Sequence, residues 1–195
     1  MEWQQPWAET WLGWAQAQSG EPAAGARRIR NVLDRWAATN ENVGRTYGLF
    51  LLARAHALAG QREAALQVVQ DALDRTERTG QRYLEADLHR LRGELLHSLG
   101  MVTEAGACLR YALEVARRQG ARILELRASV SLARHGGPAE PLLTAAGAFD
   151  RDVDLTEVAE ARTLSERLHQ HAAPENLPEG AGNDHQRRAE SGWAA

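Results

Sequence analysis

The amino-acid sequence contains no lysine, because all 23 of its basic residues are arginines. The missing lysine excludes mechanisms that need a side-chain amine: the phosphate-binding lysine of a P-loop, a Schiff-base lysine and a lysine general base. The net charge of −3 gives no bulk attraction to nucleic acid. These features remove several enzyme classes and do not indicate a nucleic-acid partner.

Cysteine and long hydrophobic runs are also scarce. Cys108 is the single cysteine, so no disulfide can form within the chain, as is usual in a reducing cytosol. The most apolar run, YGLFLLARAHALA from Tyr47, contains Arg54 and is too short and too polar to span a bilayer. No secretory signal pattern is visible at the N-terminus. We therefore expect a cytoplasmic protein without a membrane span.

What the sequence does contain is a repeat of forty residues. It is visible when SGEPAAGARRIRNVLDRW from Ser19, AGQREAALQVVQDALDRT from Ala59 and LGMVTEAGACLRYALEVA from Leu99 are aligned. Five columns agree in all three copies: Gly20, Gly60 and Gly100; Gly25, Ala65 and Ala105; Ile29, Val69 and Leu109; Val32, Ala72 and Ala112; Leu33, Leu73 and Leu113. Within each copy the apolar residues recur three and four apart, which predicts an amphipathic helix.

Each repeat is predicted to be a helical hairpin, with its glycine closing the first helix and opening the turn. A small residue in the middle of each first helix, at 13, 53, 93 and 133, would let the two helices approach closely. The first helices are predicted near 6–18, 46–59, 82–99 and 121–135, and the second near 22–38, 62–79 and 102–119. Residues 134–149 are irregular, a last helix near 155–170 would cap the array, and 172–195 should form a disordered tail after a helical domain of residues 1–171.

The forty-residue unit resembles the tetratricopeptide repeat (TPR), which has the same small residue in its first helix and a small-x-x-x-aliphatic pattern in its second. Two segments, YLEADLHRLRGELLHSLG from Tyr83 and EAGACLRYALEVARRQGARILELRASVSLAR from Glu104, are similar to the C-terminal TPR region of bacterial STAND-type ATPase signalling proteins. Those proteins join the ATPase to an adenylate or guanylate cyclase domain or to a helix-turn-helix activator domain. The resemblance covers roughly residues 11–168. It implies an all-α, right-handed solenoid of about three to four hairpins.

In that family the corresponding region is not catalytic, and the resemblance implies that it senses an inducer or partner and restrains the ATPase. Two hypotheses follow. The chain is a non-catalytic protein-interaction or regulatory module whose partner is a protein or peptide, including a separate ATPase or cyclase subunit. Alternatively, it is a truncated C-terminal fragment of a multidomain ATPase or adenylate cyclase without independent activity, since those domains are absent and residues 135–150 look short for the family.

No residue is predicted to act in catalysis or to bind a cofactor or metal. His89, Glu94 and His97 share a helix, but their spacings of five and three do not form one tight ligand face. The carboxylates of DRDVDLTE, from Asp150, resemble the start of a calcium loop that lacks its glycine and its bidentate glutamate. Cys108 is expected to be a packed, inert thiol.

Function in such an array is expected on the concave surface formed by the first helices, which would suit an extended peptide or a partner helix. The alternative is that several of its aromatic rings only pack between adjacent hairpins. The predicted partner-binding groove comprises Trp7, Trp14, Tyr47, Phe50, Arg54, Asp87, Arg90, Glu94 and His97.

The segment WQQPWAETWLGW, from Trp3, holds four of the six tryptophans. Proline favours the first turn of a helix, so the first helix is expected to begin at about Pro6, with Trp3 ahead of it. Because Leu12 matches the packing residue of the next repeat, Trp7 and Trp14 are expected to face the groove or an uncovered end of the solenoid. We expect a partner, a second copy or the absent parent protein to cover that end.

Overall fold

The computed structural model describes residues 4–38, 44–150 and 152–172, and every regular element within these ranges is an α-helix. The helices, in chain order, are α1 (Gln4–Gln18), α2 (Pro22–Ala38), α3 (Arg45–Leu58), α4 (Arg62–Thr79), α5 (Glu85–Ser98), α6 (Val102–Arg118), α7 (Arg122–Arg134), α8 (Glu140–Gly147) and α9 (Thr156–Ala172). The predicted all-α fold is confirmed. Two starts differ by more than one residue: α1 begins at Gln4 with Pro6 inside its first turn, and α5 begins at Glu85, three residues later than expected.

Consecutive helices pair as antiparallel hairpins that stack in a row. The hairpins are α1 with α2, α3 with α4, and α5 with α6, and each second helix also contacts the first helix of the next hairpin. The first helices touch one another as well, α1 with α3, α3 with α5 and α5 with α7. This nearest-neighbour pattern is that of a helical solenoid, in which each repeat buries its apolar face on the next.

The turns contain glycines in the left-handed conformation that the sequence predicts. Gly60 and Gly100 close α3 and α5 with φ angles of 73° and 81°, in the left-handed region that only glycine enters without strain. The turn then leads directly into the second helix of each hairpin, so the regular spacing of these glycines sets the hairpin length.

The small residues of the repeat lie where the two helices of a hairpin cross. A Cβ atom added at Gly93 would stand 2.7 Å from Cγ of Leu109 and 3.1 Å from the carbonyl oxygen of Ala105. At Gly13 it would meet Ile29 at 2.8 Å and the carbonyl oxygen of Gly25 at 3.0 Å. The hairpins therefore pack more tightly than side chains at these positions would allow, as the repeat predicts.

The C-terminal end departs from the repeat. Residues 135–150, predicted to be irregular, include the short helix α8, whose first turn contains Pro141. Helix α9 then packs against α7 and α8 and closes a separate apolar cluster around Leu126, Leu142 and Val158. The predicted tail lies outside the described residues except for Ala172. Among the described helices, none is long and apolar enough to cross a membrane.

Candidate functional site

A cavity of about 280 Å³ lies between α3, α5, α7 and α9, and we call it the central cavity. Four of the nine predicted groove residues line it: Phe50, Arg54, Arg90 and Glu94. The other lining residues are Leu126, Arg127, Val130, Ser131, Arg134, Glu157 and Glu160. The cavity therefore combines an apolar floor with four guanidinium groups and three carboxylates.

Most of these charges are already paired. Asp87, on α5, does not line the cavity and is only 3% exposed. It accepts hydrogen bonds from Nε of Arg90 at 2.9 Å and from Nη1 of Arg127 at 3.2 Å. Nη1 of Arg90 also donates to Glu94 at 2.8 Å, and the hydroxyl of Ser131 donates to the same carboxylate at 2.7 Å. Burial opposes the charge of Arg90, but Glu94 and Asp87 outweigh it and raise the pKa of the guanidinium.

Two further ion pairs bring α9 into the network. Arg127 donates to the carboxylate of Glu157, and this hydrogen bond is the main reason why the pKa of Glu157 lies below its ordinary value. Arg134 lies 3.3 Å from Glu160 in an exposed pair. Three of the four arginines of the central cavity thus face a carboxylate of the chain itself.

Arg54 is the exception. No carboxylate among the described residues lies within ion-pair distance of it. Its guanidinium instead stacks 4.3 Å from the ring centre of Trp14 and 5.6 Å from that of Phe50. Burial, and then the positive charge of Arg90, lower the pKa of Arg54, and the negative charge of Asp87 only partly offsets them. A half-buried cation in this position gains free energy from any anion that reaches it.

A row of aromatic rings leads from the first hairpin towards the cavity. The ring centres of Trp11 and Tyr47 are 5.5 Å apart, those of Trp7 and Tyr47 6.4 Å, and those of Tyr47 and Phe50 6.2 Å. Trp7 also meets Trp36 edge-on at 5.3 Å. The row supplies apolar surface next to the cation of the cavity.

Trp7 and Trp14 fit the alternative stated for the aromatic rings, which is that they pack between adjacent hairpins. Trp14 is only 8% exposed and belongs to the core, and Trp7 is half-buried against Trp36 and the backbone of Gly44. The exposed side chains of α1 are instead Trp11, at 49%, and Leu12, at 53%. Leu12 was expected to pack as Leu52 does, and this expectation was wrong because no hairpin of the described chain lies in front of α1.

His97 lies beside the cavity rather than in it. Its ring centre is 3.9 Å from that of His135, and burial followed by the neighbouring His97 lowers the pKa of His135. No group of three or more potential metal ligands occurs within the part of the chain that the structure describes.

The repeat register could have identified two cavity residues that the sequence prediction missed. Forty residues after Asp87 and Glu94 stand Arg127 and Arg134, so the groove columns extend one repeat further than predicted. Glu157 and Glu160 belong to α9, which lies outside the repeat, and no periodic signal points to them.

Comparisons with known proteins agree with the repeat fold. No protein-family model matches the chain. An uncharacterized protein of Rhizobium meliloti (strain 1021) is 37% identical over 125 residues, which are 64% of this chain. The match spans only 12% of the length of that relative.

Similar solved structures include two crystal structures of a putative kinesin light chain of Podospora anserina with nearly identical TPR-like repeats. One of them, a single-residue variant, superposes with a TM-score of 0.63 over 84% of both chains, at 14% identity. The other gives a TM-score of 0.59 over 84% of this chain and 88% of that one, also at 14% identity. At this level of identity the likeness establishes the fold, which is a TPR-like helical-repeat solenoid.

Proposed function

We propose that the chain is a non-catalytic protein-interaction module that binds an extended peptide of a partner protein along the predicted groove, with a peptide carboxylate on Arg54. The observation that carries the proposal is the lack of a carboxylate partner for Arg54, among the described residues, inside a cavity whose other arginines are paired. The half-buried ring of Tyr47, whose centre lies 6.2 Å from that of Phe50, would contact apolar side chains next to the anchored carboxylate.

The charges of the central cavity favour a carboxylate over a phosphate. Asp87, Glu94, Glu157 and Glu160 together balance the charges of the four arginines, and Arg54 is the arginine with no carboxylate within ion-pair distance among the described residues. These carboxylates would repel a dianionic phosphate more strongly than a singly charged carboxylate bound to Arg54. The preferred peptide therefore carries Asp, Glu or a C-terminal carboxylate beside apolar residues.

The more specific proposal is that the partner is a STAND-type ATPase or a nucleotide cyclase in a bacterial signalling pathway, encoded as a separate chain. It rests on the resemblance of residues 83–134 to the TPR region of such proteins. Under the alternative proposal the chain is a truncated C-terminal fragment of a multidomain ATPase or cyclase, without independent activity. In the relative from Rhizobium meliloti the matched segment is 12% of a much larger protein.

Selection of peptides from a random phage-displayed library tests the groove. The matched pair of variants is Arg54→Met, which keeps an apolar stem but removes the charge, and Arg110→Met, which removes an exposed arginine of α6 far from the cavity. We expect the wild type and Arg110→Met to enrich the same acidic, apolar-containing peptides and Arg54→Met to lose them. Enrichment of the same peptides by Arg54→Met would refute the groove proposal.

The proposed ATPase or cyclase partner has to be sought in the native host. Pull-down with the wild type and with Arg54→Met should recover an ATPase or cyclase that the variant loses, and a gene for it should lie beside this one. An empty partner list would favour the truncated fragment. Nucleotide hydrolysis or cyclisation by the purified chain would contradict a non-catalytic role. The proposed location is the cytoplasm, and detection of the protein elsewhere in the cell or outside it would contradict this.

A further inference from the structure

The outward face of α1 carries a stripe of four exposed apolar residues, which we call the end stripe: Ala8, Trp11, Leu12 and Ala15. Spacings of three and four place them on one side of the helix. Its two large members are about half exposed, although tryptophan and leucine are usually buried. The stripe is therefore an exposed apolar helix face within the described part of the chain, and the Trp11 ring, on Tyr47, forms one edge of it.

The same positions are covered in the following repeat. Forty residues later stand Gly48, Leu51, Leu52 and Ala55, all of which are buried. The second helix of the preceding hairpin, α2, packs on α3 and covers Gly48 directly, because a Cβ at Gly48 would lie 2.8 Å from Leu33 and 3.3 Å from Trp36. The end stripe has the same order of small, large, large and small side chains, so it is shaped to be covered by another helix.

The charges of α1 bear on which helix covers the end stripe. Helix α1 contains no basic residue, and its single acidic residue, Glu9, is already paired with Arg35. The stripe itself carries no charge, so a second copy of the same face meets no like-charge repulsion. The stripe is also symmetric about its midpoint, since reversing the helix exchanges Ala8 with Ala15 and Trp11 with Leu12.

We propose that two copies of the chain associate through their end stripes, with the two α1 helices antiparallel about a two-fold axis. Each Trp11 then packs on Leu12 of the other copy at the centre, and the alanines on either side let the helices approach. Two-fold contacts of this kind are the commonest in homo-oligomers because one surface serves both copies. The dimer does not depend on the central cavity, so Arg54→Met leaves it unchanged even if the proposed function fails.

Sedimentation equilibrium of the 195-residue chain measures the association. The test variant is Leu12→Glu, and the matched control is Leu58→Glu, because Leu58 is equally exposed, at 55%, but lies at the end of α3. We expect a dimer whose dissociation constant rises at least about tenfold in Leu12→Glu, since the symmetry brings two carboxylates together. Leu58→Glu should behave as the wild type. A monomeric wild type, or a dimer that Leu12→Glu does not weaken, overturns the proposal.

Cysteine cross-linking fixes the orientation. In a chain carrying Cys108→Ala, the single variants Ala8→Cys and Ala15→Cys are treated with a bismaleimide of about 8–10 Å span, the separation of packed helices. The antiparallel arrangement predicts cross-linked dimers when the two variants are mixed and few when either is alone. Cross-linking of each variant with itself would contradict the two-fold antiparallel contact.

Discussion

A methyl group added at Gly25 probes the tightest helix crossing of the repeat. An ideal Cβ there would lie 2.7 Å from the backbone nitrogen and 2.8 Å from Cβ of Ala17, and closer still to the carbonyl oxygen of Gly13. Two of these three atoms belong to the backbone and cannot rotate away. The substitution Gly25→Ala therefore has to separate α1 from α2.

Two opposing effects decide the magnitude. Overpacking a well-packed contact costs about 1–3 kcal/mol, and the backbone clashes place Gly25→Ala at the upper end of this range. Alanine in place of glycine within a helix stabilises by about 1 kcal/mol. We therefore expect a net loss of about 2 kcal/mol in the free energy of unfolding.

The matched control is Gly106→Ala, in the second helix of the third hairpin. A Cβ there meets only the flexible guanidinium of Arg110, at 3.3 Å, so the helix preference should prevail with a gain of about 0.5–1 kcal/mol. Urea unfolding followed by helical circular dichroism compares both variants with the wild type. If Gly25→Ala is as stable as the wild type while Gly106→Ala is stabilised, the close crossing of α1 and α2 is refuted.

Three further predictions concern the core, the ion-pair network and the histidine pair. Leu109→Ala should lower the free energy of unfolding by about 3 kcal/mol, because Leu109 is fully buried against Gly93. Urea unfolding measures this loss, and an unchanged free energy of unfolding would contradict the packing. Asp87→Asn should cost about 3 kcal/mol in the same assay, because it removes the buried charge that Arg90 and Arg127 share, and a neutral effect would show that the network does not stabilise the fold. Because burial lowers the pKa of His135 below 6.5, the unfolded chain binds a proton more readily, and stability should fall as the pH is lowered from about 7 to about 5.5. His135→Gln should reduce this fall, and an unchanged pH profile of the free energy of unfolding would exclude His135 as its source.

The repeat and its hairpins could be predicted from the sequence because they depend on local patterns. Apolar spacing identifies the helices, and glycines such as Gly60 and Gly100 mark the turns through a conformation that other residues avoid. Small residues such as Gly93 lie at helix crossings because a larger side chain would not fit. Each of these signals recurs at a fixed offset, so every copy supports the others.

The candidate site could be predicted only in part, because position in the array matters as well as register. The first helix has no preceding hairpin in the described chain, so Trp11 and Leu12 are exposed although their counterparts Leu51 and Leu52 are buried. Trp14 matches the groove position of Arg54 in the repeat, yet Arg54 itself covers the Trp14 ring. These contacts between neighbouring repeats cannot be read from periodicity within one helix.

The pairing of charges in the central cavity could not be predicted from the sequence either. Glu157 reaches Arg127 from α9, a helix that the repeat does not contain, and Glu94 is held by Ser131 and Arg90 together. The sequence shows the arginines but not which carboxylates they meet in space. Only the assembled helices reveal that Arg54 lacks a carboxylate partner among the described residues.

A double-mutant cycle between Arg54 and the carboxylate of a selected peptide measures whether these two groups interact. Calorimetric titration would compare the acidic peptide with its Asp→Asn or amidated counterpart, against the wild type and Arg54→Met. A hydrogen bond to a charged group contributes about 1.5–3 kcal/mol, so losing the peptide carboxylate should weaken binding to the wild type at least about tenfold. Binding to Arg54→Met should then be equally weak for both peptides. An equal loss of affinity in the wild type and in Arg54→Met would show that the carboxylate binds elsewhere and would contradict the account.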